Sequence, residues 1–326
     1  MAVDEATLTD AVRRHLDVAG RVEGLRRLTG GASNETWSFR LVDGDGQPEP
    51  LILRIDRRGT WLGPTTEARL LEAAGRHQVP VPRVRFVLDE DDGLGAGYVM
   101  SHVEGETIPQ RILRDESLAD ARAAMARQAG RIAGRIHTVP LDEVGELPGV
   151  DGHAHPAQAQ IDQQRELLDA YGEPHPVLEL ALRWAEERLP AFEGATLVHG
   201  DFRNGNFVVG PDGIRAVLDW ELAHIGDPLE DLGWLCAPSW RFRRLDHPVG
   251  GFGHYDDLLA GYAETSGREV DPEAVRFWEV LGNVRWGVIC IIQAFTHLQG
   301  QHRSVELAAI GRRVAEVEHQ VLAMID

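Results

Sequence analysis

The segment Leu197-Val198-His199-Gly200-Asp201-Phe202-Arg203-Asn204-Gly205-Asn206-Phe207-Val208-Val209, with Ala216-Val217-Leu218-Asp219-Trp220-Glu221 after it, decides how this chain is read. The apolar runs Thr196–Val198, Phe207–Val209 and Ile214–Leu218 read as short strands. They gather an aspartate, Asp201, an asparagine, Asn206, and a second aspartate, Asp219. Transfer of a phosphoryl group from a magnesium nucleotide calls for that set. One carboxylate orients an attacking hydroxyl and accepts its proton. A carboxylate and an amide oxygen hold Mg²⁺, a hard cation that prefers oxygen ligands. Either aspartate alone reads equally as a helix cap or a surface acid; the joint spacing between apolar strands favours the chemistry.

Upstream of this segment, residues 25–101 read mostly as strand. Trp37, Phe39 and Leu41 alternate with polar residues, the cluster 43–48 is a turn, and Leu51-Ile52-Leu53-Arg54-Ile55 is the return strand. Alternation puts Leu51, Leu53 and Ile55 on one face and Arg54 on the other. The stretch 65–75 reads as one helix with Thr65 as its N-cap, and 83–88 and 97–103 read as two further strands. From about residue 107 the period becomes helical. Met125, Ala129, Ile132 and Ile136 recur at that spacing, as do Leu178, Leu182, Ala185 and Leu189, and 272–298 is a long helix rich in Trp and Ile. The chain therefore reads as an α+β protein in two lobes. Residues 1–103 form a small sheet with one helix, and residues 104–326 are mainly helical with one small hairpin.

The His-Gly-Asp, Asn and Asp pattern at His199, Gly200, Asp201, Asn206 and Asp219 resembles the aminoglycoside phosphotransferase and choline kinase-like superfamily. The run from Trp220 to Trp234 is similar to the branch associated with acyl-CoA dehydrogenases. This resemblance implies a bilobal protein-kinase-like fold and ATP- and Mg²⁺-dependent phosphorylation of a hydroxyl group. Asp201 would be the base, and Asn206 and Asp219 the magnesium ligands. The acceptor would be a small molecule, a hydroxyacyl compound or its CoA thioester, with an aminoglycoside or other antibiotic as the alternative. An ATP-binding pseudokinase is a second alternative. Thr29-Gly30-Gly31-Ala32-Ser33-Asn34 would cover the phosphates, glycine letting backbone amides approach closely; by itself the segment reads as well as a hairpin turn. Arg54 stands where kinases carry a lysine, with Glu67 as its acidic partner. Tyr98–Gly105, including Met100 and His102, resembles the hinge whose backbone meets adenine. By the same resemblance His199 packs and hydrogen-bonds and is not the base. Asp227 is expected to cap a helix, and Asp231 to brace the catalytic loop.

The rest of the sequence mainly excludes. A net charge of −19 disfavours nucleic acid as partner. The 33 basic residues are all arginine, which excludes a lysine Schiff base and a P-loop. No apolar run is long enough to cross a membrane and the N-terminus lacks a signal pattern, so a cytoplasmic enzyme is expected. Cys236 and Cys290 read as buried reduced thiols. His153, His155 and His175 have no diagnostic metal spacing and read as solvated loop. Trp278, Leu281, Val284 and Val288 read as a packing stripe, with Arg285 facing either that packing or the substrate cleft. Oligomeric state is left open.

Overall fold

The computed structural model describes residues 3–28, 34–43, 46–57, 59, 61–149 and 152–326. Gly30, Gly31 and Ser33 of the glycine segment lie outside the described residues. Helix α1 (Glu5–Leu16), which the sequence reading did not anticipate, opens the chain, capped by the Asp4 side chain on the Thr7 amide. Strands β1 (Arg21–Arg27), β2 (Asn34–Val42) and β3 (Pro48–Asp56) follow, then helix α2 (Gly63–Arg76) and strands β4 (Val84–Val87) and β5 (Gly97–Ser101). They form one antiparallel sheet in the order β1-β2-β3-β5-β4. Helix α2 begins two residues before the expected Thr65. No side chain caps it; Pro64 in its first turn, which needs no amide partner, marks the start instead.

The alternation of β3 holds. Leu51, Leu53 and Ile55 are buried with Leu8 and Val12 of α1, while Ile52 joins the core that continues under α2 into the second lobe. Arg54 lies on that second face, opposite Tyr98 in the β3–β5 register. The strand thus buries apolar groups on one side and aims one cation at the interlobe site on the other.

Beyond Ser101 come α3 (Pro109–Ile112), α4 (Ala119–His137), α5 (Leu141–Val144), α6 (Pro156–Tyr171) and α7 (Pro176–Glu186). Strands β6 (Thr196–Val198), β7 (Phe207–Gly210), β8 (Gly213–Val217) and β9 (His224–Gly226) interrupt the helices. The chain closes with α8 (Leu229–Cys236), α9 (Tyr255–Ser266), α10 (Pro272–Leu298), α11 (Val305–Gly311) and α12 (Val314–Ile325). Leu189 falls beyond α7 and is exposed, so it does not extend that helix's buried stripe. The expected hairpin is β7–β8; β9, not anticipated, pairs with β6. No helix among the described residues is long and apolar enough to cross a membrane. Both cysteines are free and buried.

Helices α4 and α9 approach so closely that only glycine fits between them. A Cβ on Gly130 would lie 2.0 Å from the Leu258 carbonyl oxygen and 2.7 Å from the Tyr262 nitrogen, both rigid backbone atoms. Gly130→Ala is therefore expected to destabilise the fold by about 2 kcal/mol or more, since overpacking against backbone must separate the helices. Chemical denaturation would measure this. An unchanged midpoint would mean that the α4–α9 contact yields easily.

Candidate active site

The catalytic segment is built from short strands and the turns between them. β6 delivers His199-Gly200-Asp201, and the β7–β8 hairpin delivers Asn206 and Asp219 at its two ends. Gly200 sits at φ +79°, where a Cβ would meet the Leu222 carbonyl oxygen at 2.3 Å, so the residue before Asp201 has to be glycine. Asp219 is one of the few non-glycine residues at positive φ, at 70°. Strain of that kind persists where surrounding contacts over-determine a functional side chain.

Asp231 braces this loop as expected. Its two carboxylate oxygens accept the amides of His199 (2.8 Å) and Gly200 (2.9 Å), and His137 Nε2 lies 3.1 Å from it. Burial works to raise the Asp231 carboxyl, but the His137 and His199 contacts hold it below its ordinary range. Pro228 holds the N-cap position of α8; Asp227, expected there, stands one residue earlier and accepts the amide of the first helical residue, Leu229, at 2.9 Å. His199 is fully buried between fixed partners. Its Nδ1 accepts the Asp201 amide at 3.1 Å, so Nε2 carries the proton and donates to the Leu218 carbonyl at 3.1 Å. Burial lowers its proton affinity, and the ring is a neutral strut with no free nitrogen for base catalysis.

Asp201 is gripped from both sides. Oδ1 accepts Arg203 Nε and Trp234 Nε1, each at 2.8 Å, and Oδ2 accepts Asn206 Nδ2 at 2.6 Å. A carboxylate has about four lone-pair sites, so room remains on Oδ2 for one more donor. The Asn206 amide nitrogen also donates to the Asp201 carbonyl at 2.9 Å, which commits that nitrogen and leaves the amide oxygen as the group available to a cation. Trp234 was not singled out from the sequence. A tryptophan in an apolar helix reads as packing, and nothing in a spacing of 33 residues signals its contact with Asp201.

Arg54 reaches the site as the strand alternation implied. Its Nη2 lies 3.2 Å from Glu67, 2.7 Å from Asp219 and 3.3 Å from Glu221, and its side chain is only 13% exposed. Glu221 is a further partner that the sequence reading left unused. One guanidinium facing three carboxylates leaves an excess of negative charge. Burial first, then the neighbouring Asp219 and Glu221, push the Glu67 carboxyl up to about 7 despite the opposing pull of Arg54. Carboxylate oxygens in surplus over the one cation, and the uncommitted Asn206 amide oxygen, are the donor type a hard divalent cation prefers, so the chemistry of these residues fits magnesium.

Met100 lies buried in β5. His102 donates its amide to the Pro50 carbonyl at 3.1 Å. The three histidines weighed as metal ligands each have separate partners. His153 meets Asp162, His155 meets the Pro190 carbonyl and the Ala157 amide, and His175 meets Glu318.

On the α8 and α10 side of Asp201 stand two arginines on tryptophan faces. Arg203 lies 4.4 Å from the Trp240 ring centre, and Arg285 lies 4.8 Å from that of Trp234 while donating to the Gly200 carbonyl at 3.1 Å. Trp278, Leu281, Val284 and Val288 are buried core as expected, so Arg285 departs from that stripe toward the catalytic loop.

The small sheet above a helical lobe is the kinase-like fold of small-molecule phosphotransferases. Residues 24–268 match the phosphotransferase enzyme family, and the chain belongs to it. It is 32% identical over 218 residues to acyl-CoA dehydrogenase family member 10 of Mus musculus, a match covering 63% of this chain and 19% of that protein. A Ralstonia eutropha structure assigned to the aminoglycoside phosphotransferases superposes with a TM-score of 0.73 at 24% identity, over 98% of this chain and 97% of that one. The ternary complex of aminoglycoside phosphotransferase APH(4)-Ia with ADP and hygromycin B superposes with a TM-score of 0.61 at 15% identity, over 96% of each chain.

The Trp234 contact carries an expected result. Trp234→Phe keeps a ring beneath Arg285 but deletes the donor to Asp201. Hydrogen bonds to charged groups are worth roughly 1.5–3 kcal/mol, so kcat should fall by about tenfold or more. KM for ATP should not move, because among the described residues the polar contact of Trp234 is with Asp201 and not with Arg54 or Asp219. A loss confined to KM would show that Trp234 only packs.

Proposed function

We propose that this protein is an ATP- and Mg²⁺-dependent O-phosphotransferase whose acceptor is a hydroxylated acyl compound carrying negative charge, as the free acid or the CoA thioester. The reading takes residues 1–103 as the nucleotide lobe and residues 104–326 as the acceptor lobe. The observation that carries the acceptor class is the pair Arg203 and Arg285. Among the described residues Arg285 has no carboxylate partner, and Arg203 has only Asp201 itself. In a chain of net charge −19, two cations beside the base suit an anionic substrate and oppose a polycationic aminoglycoside. The likeness to an acyl-CoA dehydrogenase family member supports the same class.

In this mechanism Asp201 receives the acceptor hydroxyl on Oδ2. Its plane is fixed by Trp234, Arg203 and Asn206, so the attacking oxygen is aligned before any bond changes. The new bond joins that oxygen to the γ-phosphorus, the β–γ bridging bond breaks, ADP leaves, and the hydroxyl proton goes to Asp201. Asn206 and Asp219 would hold Mg²⁺, which would supply neutralisation of phosphate charge. Arg54 steadies Asp219 and Glu67 through Nη2, which holds them in place beside the phosphates. Because the His102 amide is engaged, adenine recognition falls to the backbone beyond it.

The test is ATP consumption with Mg²⁺ against a panel of hydroxyacyl-CoA thioesters, free hydroxy acids and hygromycin B. Phosphorylated acyl product is expected, lost on removal of Mg²⁺. Turnover of hygromycin B alone would overturn the acceptor class. ATP binding without transfer to any hydroxyl would favour the pseudokinase alternative, against which the intact Asp201, Asn206 and Asp219 now stand.

A further inference from the structure

We propose that the cavity at the start of α8, floored by Asp227 and walled by Trp184, Tyr262 and Phe277, binds a small organic ammonium ion. It measures about 390 Å³ and is formed by the end of α7, the loop after it, the start of α8, α9 and the first turns of α10. That volume suits a small ligand. None of its lining residues is Asp201, Asn206, Asp219 or Arg54, so it is separate from the phosphotransfer site.

Its chemistry is that of a cation site. Asp227 is 2% exposed, and its Oδ1 accepts the Leu229 amide at 2.9 Å. Among the described residues the other oxygen, Oδ2, makes no hydrogen bond, although it belongs to a side chain on the cavity wall. That oxygen is left for a partner that enters the cavity. The Trp184 and Phe277 rings are stacked at 6.2 Å, and Arg188 lies 5.2 Å from the Trp184 ring centre, so one ring of this wall already carries a cation. Five carboxylates line the cavity against two arginines, Arg188 and Arg268. The charge left over is negative, and the walls that face it are aromatic.

The position also gives occupancy a route to the base. Asp227 holds the first amide of α8, and the same helix carries Asp231, which holds the His199 and Gly200 amides, and Trp234, which holds Asp201. Tyr262, on the cavity wall, meets His137 at 3.1 Å, and His137 meets Asp231.

The experiment is calorimetric titration with benzyltrimethylammonium chloride, a permanent cation with an aromatic body, at moderate salt and with no acceptor present. Saturable binding is expected with Kd of about 1 mM or tighter. Benzyl alcohol, which lacks the charge, should bind at least about tenfold more weakly, as the loss of a carboxylate and cation–π contact implies. Asp227→Asn keeps the acceptor for the Leu229 amide and should weaken the cation by a similar factor. Ala274→Phe, which fills the cavity from α10, should abolish binding while leaving Asp227 in place. Thermal unfolding identifies folded variants, and either one alone suffices. No saturation, equal affinity for benzyl alcohol, or unchanged affinity in a folded variant would overturn the proposal. Since no turnover is read, the outcome is independent of the phosphotransfer reaction.

Discussion

Asp201→Asn is expected to lower kcat by roughly 10²–10⁴, the range for loss of a general base that also orients the nucleophile. The substitution is nearly isosteric, but its surroundings are not neutral toward it. Every side-chain group bonded to Asp201 is a donor: Arg203 Nε and Trp234 Nε1 on one oxygen and Asn206 Nδ2 on the other. An asparagine amide must turn its own N–H₂ toward one of those donors. If it faces Asn206, that amide is pushed from its place at 2.6 Å, and the oxygen proposed to hold Mg²⁺ moves with it. If it faces Trp234 and Arg203, two donors lose their acceptor. Asp201→Ala avoids both collisions. Single-turnover rates with both variants separate the effects. Alanine should lose chemistry with nucleotide affinity kept, and asparagine should lose chemistry together with some Mg²⁺ affinity. Near-normal turnover in the alanine variant would remove Asp201 from the base role.

The contrast between Asp201 and Trp234 shows what the sequence makes legible. Asp201, Asn206 and Asp219 are close in the chain, and two short strands suffice to bring them together, so their spacing carries their chemistry. The direction of Arg54 was legible because period-two alternation fixes which side of β3 an arginine leaves from, while Glu67 as its partner came from the kinase resemblance. The hydrogen bond from Trp234 depends on the angle at which α8 packs beneath the loop, which no local pattern encodes. The same holds for Arg285, whose helix reads as continuous core until its guanidinium is found on the Gly200 carbonyl. Helix α1 is marked in the sequence by the Asp4 cap and by Leu8, Ala11 and Val12, which its single apolar face buries against the sheet. The start of α2 was misplaced because Thr65 offers a cap that Pro64 makes unnecessary.

Arg54 separates two accounts of why an arginine stands where other kinases use lysine. If the site were shaped around a planar fork, Arg54→Lys would lose much activity. The geometry is otherwise. A single nitrogen, Nη2, serves Glu67, Asp219 and Glu221, and Nε is buried without a partner. An ammonium has three donors for three acceptors, so lysine should keep activity within about tenfold, losing chiefly reach. Arg54→Ala is a different case, because it leaves the buried Glu67 facing two acids with no cation. Breaking a buried ion pair from one side costs about 3–5 kcal/mol, and nucleotide affinity should fall with it. The cost depends on pH with a definite sign. Glu67 already has its folded-state value raised to about 7 from the ordinary 4.5. A raised acid contributes stability that is present below its unfolded value and lost as pH rises through its folded one. Without Arg54 the carboxyl rises further, so the alanine variant can keep Glu67 neutral and should lose little at pH 5 and most above pH 8. Urea denaturation of the magnesium-free protein at the two pH values measures the difference. Equal destabilisation at both, or full activity in Arg54→Ala, would show that the arginine neither holds Glu67 nor organises the phosphate site.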